Sequence, residues 1–430
     1  MALEHALVCL QRQWRGASPW RAILTAAVAS ISFSAAAVLP ARAEEGFKQW
    51  LERLWPDAQA FGISRITFDT AFRGVQPDLD LPDLVIPGRG KPAVKGQAEF
   101  TRPPQDYLNK TYLGDLADKA KVLLARHAQT LMQVERELGV ERHVVLAIWG
   151  RETAYGNHRL PHSAIRALAT QAYLGRRNEM FRNELLHALL LLEQRVIAPE
   201  ALRSSWAGAI GLPQLMPSEY YLWAYDLDKD GRKDIWTSIP DALASAANQL
   251  KGKGWTAGQN WGVEVRLPPE VDCALEGPLN SRPLSEWAAL GLTLSGGRQF
   301  HPDQLAQQAY LMIPAGGYGP AFLVFENFKV LKRYNQSDLY AVFVGHLADR
   351  IAGGGDFETP WQKLSQLPSE SIEEIQQRLQ AAGYGIEKID GKVGSNTRAQ
   401  IGAYQKANKM KVDCWPTAAL LQNLRAVASR

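Results

Sequence analysis

Ala147-Ile148-Trp149-Gly150-Arg151-Glu152-Thr153-Ala154-Tyr155-Gly156 is the stretch from which the rest of the chain can be read. Upstream, Glu141 to Trp149 has helical spacing. Val144, Val145, Ile148 and Trp149 recur three and four residues apart and mark one apolar stripe. Glu152 lies four residues after Ile148 and three after Trp149, so it continues that stripe instead of facing solvent. A carboxylate among Trp and aliphatic side chains loses hydration, which disfavours its charged form and raises its expected pKa. A protonated acid near neutral pH is what general-acid catalysis uses. Gly150 and Gly156 flank it and, lacking side chains, are expected to let a bulky ligand approach the backbone. The alternative is a helix-terminal Glu bonded to neighbouring amides. Other parts of the chain decide between the two.

With 430 residues, 46% of them hydrophobic and 21% charged, the chain has an ordinary globular balance and room for two or three domains. Its first residues stand apart. Arg12, Arg15 and Arg21 precede an uncharged run from Ala22 to Leu39, and Ala41-Arg42-Ala43 follows. A charged head, an apolar segment and a small-x-small site form a secretory signal, expected to span residues 1–43 and to be cleaved before Glu44. A retained membrane anchor is the alternative, but a run rich in Ala and Ser and only about 18 residues long is a weak span. The segment holds four Arg and one Glu, so the formal charge of +4 falls near +1 without it. That balance does not suggest a nucleic-acid partner. Of three Cys, Cys9 leaves with the signal. Cys273 and Cys414 are too distant in sequence to suggest a disulfide framework or a metal site. A soluble exported protein, periplasmic and monomeric, is the expectation.

Residues 46–75 carry Phe47, Trp50, Leu51, Leu54, Trp55, Phe61 and Phe72 at spacings that predict short amphipathic helices. Residues 76–97 are rich in Pro, Gly and Asp and read as an extended surface segment. Tyr107, Leu108 and Tyr112 fall at helix spacing. Leu123 to Leu138 is a further predicted helix, and the Leu-rich stretch from Ile165 to Ile197 reads as a long buried scaffold. From Ser204 to Gln214 the helical period breaks into a loop of Gly and small residues, with Trp206 and Gln214 suited to a wall that cradles sugar. Ser238, Pro240 and Asp241 open another helix. The period then changes to two: Trp261, Val263, Val265 and Leu267 predict a strand, with Ala309–Ile313 and Phe322–Phe325 as partners. Leu339 to Ile351 closes the domain as helix. Residues 352–370 look like a linker. Residues 371–430 hold a small unit with Ile375, Leu379 and Tyr384 on one face, read as independent of the first domain.

Asp226, Asp228 and Asp230 occupy the first, third and fifth positions of a loop with Gly231 at the sixth, the opening of an EF-hand-like calcium site. Thr237 stands where a bidentate Glu belongs. Asp241 is placed to supply the missing oxygens, and the Arg232 carbonyl the seventh position. Calcium is the expected ion, with sodium as the alternative, in a structural and not a catalytic role. A solvated acidic turn is the other reading.

Taken together, these motifs resemble the membrane-bound lytic murein transglycosylase B family over residues 46–351. The resemblance is carried by residues 149–156, Ser205-Trp206-Ala207-Gly208-Ala209, Gln214 with Met216-Pro217-Ser218, the acidic loop and Arg333-Tyr334-Asn335. Residues 371–424 resemble a three-helix peptidoglycan-binding module through Leu379, Gly383-Tyr384, Asp390-Gly391, Gly394, Thr397-Arg398, Tyr404-Gln405 and Pro416-Thr417. The family implies a mainly α, lysozyme-like catalytic domain, here with a small antiparallel β-sheet insertion. It also implies cleavage of the β-1,4 bond between N-acetylmuramic acid and N-acetylglucosamine, leaving a 1,6-anhydromuramoyl end. On that resemblance Glu152 is the catalytic acid and base. Ser205, Gln214, Tyr334, Asn335 and Tyr340, and more loosely Tyr107, line the glycan cleft. Asp226, Asp228, Asp230, Arg232 and Asp241 match the calcium site. No cofactor is expected for catalysis. Glycan strands are the expected partner, with other cell-wall enzymes as candidates. Two positions depart from the pattern: Gln249 replaces a cleft Tyr, and Cys414 replaces a Gly of the module. Glu219 is a weaker second carboxylate. A water-using muramidase and a non-catalytic wall-binding protein are the rival readings.

Overall fold

In the computed structural model, which describes residues 46–86, 98–269 and 272–427, the chain opens with helices α1 (46–60) and α2 (Arg65–Phe72). The expected signal, residues 1–43, lies outside the described residues, as does 87–97 of the Pro- and Gly-rich segment. Two short helices, α3 (Ala98–Thr101) and α4 (Pro104–Tyr107), lead into α5 (Lys110–Arg126), α6 (Ala128–Leu138) and α7 (Arg142–Thr153). The single helix expected over Leu123–Leu138 is thus two, because the backbone turns out of helical geometry at His127. The long scaffold is likewise a pair, α8 (Ala164–Leu174) and α9 (Asn178–Glu193). Gly175 breaks it, at a point where a Cβ would lie 2.4 Å from the Gln171 carbonyl oxygen. Helices α10 (Pro217–Trp223) and α11 (Ile239–Gly252) complete this half, and Ser238 caps α11 as expected by accepting the Asp241 N–H at 3.3 Å.

Helix α7 does not have the single apolar stripe read from its sequence. Every residue from Val145 to Gly150 is buried, because α5, α6, α11 and α14 (Asp338–Ile351) surround it. A helix apolar on all sides belongs in the centre of a domain. The scaffold helices α8 and α9 have a separate core with α1 and α2, built on Phe47, Leu54, Phe68, Phe181 and Leu189.

Two small sheets join these helices. Strands β1 (His162–Ser163) and β2 (Arg203–Ser204) pair antiparallel. A second sheet comprises β3 (Gly262–Arg266), β4 (Arg282–Pro283), β5 (Thr293–Leu294), β6 (Gln308–Met312) and β7 (Ala321–Val324), ordered β4-β6-β7-β3-β5 with antiparallel neighbours. The three longer strands are those the period of two predicts. Strands β4 and β5 and the intervening helix α12 (Leu284–Ala289) are too short to leave a periodic signal. Trp261, just before β3, ties this sheet to α14. Its ring lies against Gly345, where a Cβ would approach to 2.4 Å, and its indole N–H donates to Asp349 at 2.8 Å. Helix α13 (Glu326–Tyr334) precedes α14. Among the described residues no helix is long and apolar enough to cross a membrane.

The C-terminal unit has three helices, α15 (Ser369–Ala381), α16 (Ser395–Ala407) and α17 (Ala418–Val427), around Ile375, Leu379, Ile401, Tyr404 and Leu420. It is not free. Residues 352–368 run over the first domain, with Phe357 stacked on His346 at 3.7 Å and the Glu358 and Thr359 N–H groups bonded to Glu264 at 2.8 Å. Cys273 and Cys414 form a disulfide across the two units, which corrects the expectation that two Cys so distant in sequence make no disulfide framework. Folding closes the chain over a sequence separation of 141 residues. Cys414 has φ 53°, the left-handed conformation for which Gly is the usual residue, so the departure from the module's pattern is a bridge anchor in a glycine's place.

His346 is buried on α14, and that burial, helped by Arg350, pushes its pKa down to about 4. The unfolded chain takes up a proton near pH 6.5 that the folded chain refuses. Stability is therefore complete above about pH 6.5 and falls as pH drops toward 4, by up to about 3 kcal/mol from this group. Urea titrations at both ends of that window are expected to show a smaller loss for His346→Gln than for the parent.

Candidate active site

Glu152 stands half-buried in the last turn of α7. The helix stops abruptly after it. Ala154, Tyr155 and Gly156 are all left-handed, with φ of 49°, 61° and 78°. Two of the three are not glycine, so the turn has to be held from outside. The Ala154 N–H bonds the Gly150 carbonyl at 3.1 Å, the Tyr155 hydroxyl donates to the Leu116 carbonyl at 3.0 Å, and its ring meets Trp149 edge-on at 5.5 Å. Gly150 makes room for that ring. A Cβ there would lie 2.5 Å from the Tyr155 hydroxyl oxygen and 2.6 Å from Cζ. Its missing side chain thus seats Tyr155 and does not admit a ligand, a correction to the sequence reading.

The Tyr340 hydroxyl donates to Glu152 Oε1. Tyr340 is only 1% exposed and stacks with Tyr334, ring centroids 6.4 Å apart and planes 12° from parallel. The Tyr334 hydroxyl donates in turn to the Pro213 carbonyl at 2.6 Å. A continuous set of contacts therefore runs from Glu152 through both tyrosines to the loop that carries Gln214. Burial and the charge of Glu152 raise the pKa of both tyrosines well above the usual phenol, so they remain neutral donors.

The small-residue loop folds back on itself where Ile210 pairs with both Ser204 and Leu215. Ser205 and Gln214 are thus on one turn. Ser205 Oγ accepts the Ala209 N–H at 3.2 Å; Gln214, in left-handed backbone at φ 56°, donates to the Gly211 carbonyl at 2.9 Å. Thr153, next to Glu152, donates to the Leu212 carbonyl at 3.3 Å and fastens the loop to α7. Asn335 is half-buried between α13 and α14, its side-chain oxygen accepting the Ser337 N–H at 3.1 Å.

Tyr107 is buried, and its hydroxyl accepts from Arg151 Nε at 2.9 Å and Nη2 at 2.7 Å. It holds Arg151 instead of facing an open cleft. The Arg151 guanidinium lies 5.1 Å from the ring centroid of Tyr107, 5.3 Å from Phe343 and 5.8 Å from Tyr340. It is a cation packed behind the Tyr340–Glu152 pair. Arg151 is not among the site residues expected from the sequence, although a charge within so apolar a helix is a signal.

Glu219 has its oxygens committed. Oε1 accepts from Gln249 at 2.9 Å and Lys253 at 2.9 Å, and Oε2 from the Met216 N–H at 3.3 Å. Gln249, one of the two departures from the family pattern, is therefore buried against Glu219. Lys253, another residue without a sequence signal, also lies 5.4 Å from the Tyr334 ring centroid.

The acidic loop is anchored elsewhere, on α6 and α11. Asp226, Asp228 and Asp230 each offer an oxygen within 4.8 Å of the others, and Asp226 Oδ1 is buried with no hydrogen-bond partner. Arg232 gives its N–H to Asp230 at 2.8 Å. Asp241 is not part of this cluster. Its two oxygens accept the Leu227 and Asp234 N–H groups at 2.9 Å each, bracing the loop from behind.

A half-buried glutamic acid at the end of a central helix, within a lysozyme-like fold, defines a glycan-cleaving type of site. Residues 46–349 match the family described as the transglycosylase SLT domain, and residues 368–424 match the putative peptidoglycan binding domain. The chain belongs to the SLT transglycosylase family, whose members include lytic transglycosylases. It is 31% identical over 248 residues to the membrane-bound lytic murein transglycosylase B of Escherichia coli K12, a match covering 57% of this chain and 66% of that protein, just under two thirds of its length. The crystal structure of SltB3 from Pseudomonas aeruginosa in complex with NAG-NAM-pentapeptide is similar at TM-score 0.79 and 40% identity, over 88% of this chain and 99% of that one. The Escherichia coli lytic transglycosylase Slt35 in complex with calcium is similar at TM-score 0.52 and 30% identity, over 60% and 80% of the two chains.

Gly150→Ala is expected to push Tyr155 off its seat, costing about 1–3 kcal/mol as overpacking does. Denaturant titration would measure the loss. Turnover should fall further than stability, because the displaced ring supports the turn beside Glu152.

Proposed function

We propose that the protein is a lytic transglycosylase that cleaves the β-1,4 bond between N-acetylmuramic acid and N-acetylglucosamine, with Glu152 acting first as acid and then as base. The observation that carries this is the contrast between the two glutamates. Glu152 lies in the last turn of the central helix α7 and accepts the neutral hydroxyl of Tyr340, whereas Glu219 is tied to a lysine, an amide and a backbone N–H. Retaining and inverting hydrolases need a second carboxylate as nucleophile or as base for water. With one working carboxyl group, the consistent route is intramolecular.

In that route Glu152 protonates the departing glycosidic oxygen, and the sugar's N-acetyl group supports the positive anomeric carbon. Glu152, now a carboxylate, removes the proton from the C6 hydroxyl of the same sugar, and that oxygen closes the 1,6-anhydro ring. The proton lost in the first step is regained in the second. The tethered nucleophile needs no ordered water and brings a proximity advantage. The surroundings suit both states of the acid. The negative end of α7 favours the neutral form, while Tyr340 and the nearby Arg151 favour the carboxylate. Ser205, Gln214 and Asn335 would bind the glycan by uncharged hydrogen bonds. Glycan strands are thus the substrate, the C-terminal module holds the wall, and the enzyme works as an exported, periplasmic monomer.

The Asp226, Asp228 and Asp230 oxygens, with the unpartnered Oδ1 of Asp226 among them, suit a hard cation, and we assign calcium to this loop in a structural role. Calcium in large excess over its dissociation constant should raise the melting temperature, by the equivalent of about 2–3 kcal/mol at a hundredfold excess. Chelator should reverse the gain, and Asp228→Asn should weaken it.

Digestion of purified sacculi tests the reaction. Mass spectrometry is expected to find muramic ends lighter by one water than reducing ends, and Glu152→Gln to slow their release by about 10²–10⁴-fold. Reducing ends in place of anhydro ends would make the enzyme a muramidase. Unchanged cleavage by the Gln variant would remove Glu152 from the mechanism.

A further inference from the structure

Arg398 belongs to the C-terminal module, yet its guanidinium ends at the first residue of the helix that carries Tyr340. Its Nε bonds both oxygens of Glu276 at 3.1 and 3.0 Å, its Nη1 donates to the Val393 carbonyl at 2.7 Å, and its Nη2 reaches Glu276 at 2.5 Å and Asp338 Oδ2 at 3.1 Å. All three side chains are withdrawn from water: Arg398 is 2% exposed, Glu276 0% and Asp338 9%. Asp338 opens α14, and Tyr340 follows two residues later in the same turn. We propose that Arg398 is a positioning residue for the cleavage reaction: through Asp338 it fixes the first turn of α14 and thereby holds the Tyr340 hydroxyl on Glu152. The inference rests on the reading of Glu152 as the catalytic acid.

The first turn of α14 is suspended between two cations. Lys332, on α13, grips Asp338 Oδ1 at 2.7 Å, and Arg398 grips Oδ2 from the opposite unit. Ser337 adds a cap by accepting the Tyr340 N–H at 3.3 Å. Without Arg398 the pull on Asp338 comes from Lys332 alone, toward α13. The far end of α14 cannot follow, because Trp261 is packed on Gly345 and bonded to Asp349. Displacement is therefore concentrated in the turn that carries Tyr340. Arg398 has no place in the glycan path of this scheme, so its loss should lower turnover and leave substrate affinity nearly unchanged.

A double-mutant cycle on the full-length protein separates this role from plain stabilisation. Anhydro-product release from defined glycan strands would be followed for Arg398→Met, Tyr340→Phe and the pair. Arg398→Met and Tyr340→Phe are each expected to lower kcat by about tenfold or more with KM within about twofold, and Arg398→Met should cost less than about twofold in the Tyr340→Phe background. Arg398→Lys, which keeps one charge contact, should restore part of the turnover. Penalties that multiply, a change confined to KM, or an Arg398→Met or Tyr340→Phe enzyme that turns over normally would each overturn the proposal. If Arg398→Met does not fold, Asp338→Asn, which keeps the Arg398–Glu276 pair, goes through the same cycle under the same criteria. Glu152→Gln distinguishes the two levels. An active Glu152→Gln enzyme sinks the reading beneath the proposal, whereas an inactive one with a neutral Arg398 sinks the proposal alone.

Discussion

The crossing of α7 and α14 is the constraint to which the site is subordinate. Glu152 and Tyr340 are 188 residues apart in sequence and meet only because these two helices pack in the centre of the catalytic domain. Two glycines set the distances. Gly345 lets Trp261 lie flat on α14, and Gly150 lets Tyr155 fold back on α7. Burying an aromatic ring of about 150–250 Å² is worth about 4 kcal/mol or more. Left-handed backbone at Ala154 and Tyr155 costs of order 1–3 kcal/mol each. The packing of Tyr155 is thus of the same order as the combined cost of about 2–6 kcal/mol for the sharp stop that presents Glu152, and hydrogen bonds to Leu116 and Gly150 add to it.

The second unit is fastened by means that differ in kind. In the chain-entropy picture, closing a loop of 141 residues with a disulfide stabilises the native state by about 4–5 kcal/mol. The buried Arg398–Glu276–Asp338 cluster contributes little net energy by comparison, since desolvation offsets most of its attraction. Its effect is on geometry. The module sits where all three charges are satisfied at once, so the covalent bridge provides strength and the ions provide register.

Much of this architecture was legible in the chain. The helices, the three longer strands and the acidic loop each follow from a local period or spacing, and local patterns survive folding. Glu152 was legible for the same reason, as a charge placed in an apolar helical period. What escaped were relations between distant segments. The break at His127 has no local signal, and that at Gly175 has only a lone glycine inside a Leu-rich period. The role of Gly150 is visible only with Tyr155 folded over it, and that of Tyr107 only with Arg151 beside it. The Cys273–Cys414 bridge and the docking through Arg398 lie further still beyond a linear reading. The bridge spans 141 positions, and Arg398 lies 122 from Glu276 and 60 from Asp338; nothing in the flanking sequences names the partners.

Glu276 has a consequence for how such proteins can be rearranged. It belongs to the catalytic half, yet its only cationic neighbour among the described residues sits in the other half, and its side chain is wholly enclosed. Stripping one member from a buried ion pair costs about 3–5 kcal/mol. Grafting a foreign wall-binding unit onto this enzyme, or ending the gene early, would leave that carboxylate stranded. The two halves have become obligate companions, and natural shuffling of this module should be rare unless position 276 changes with it.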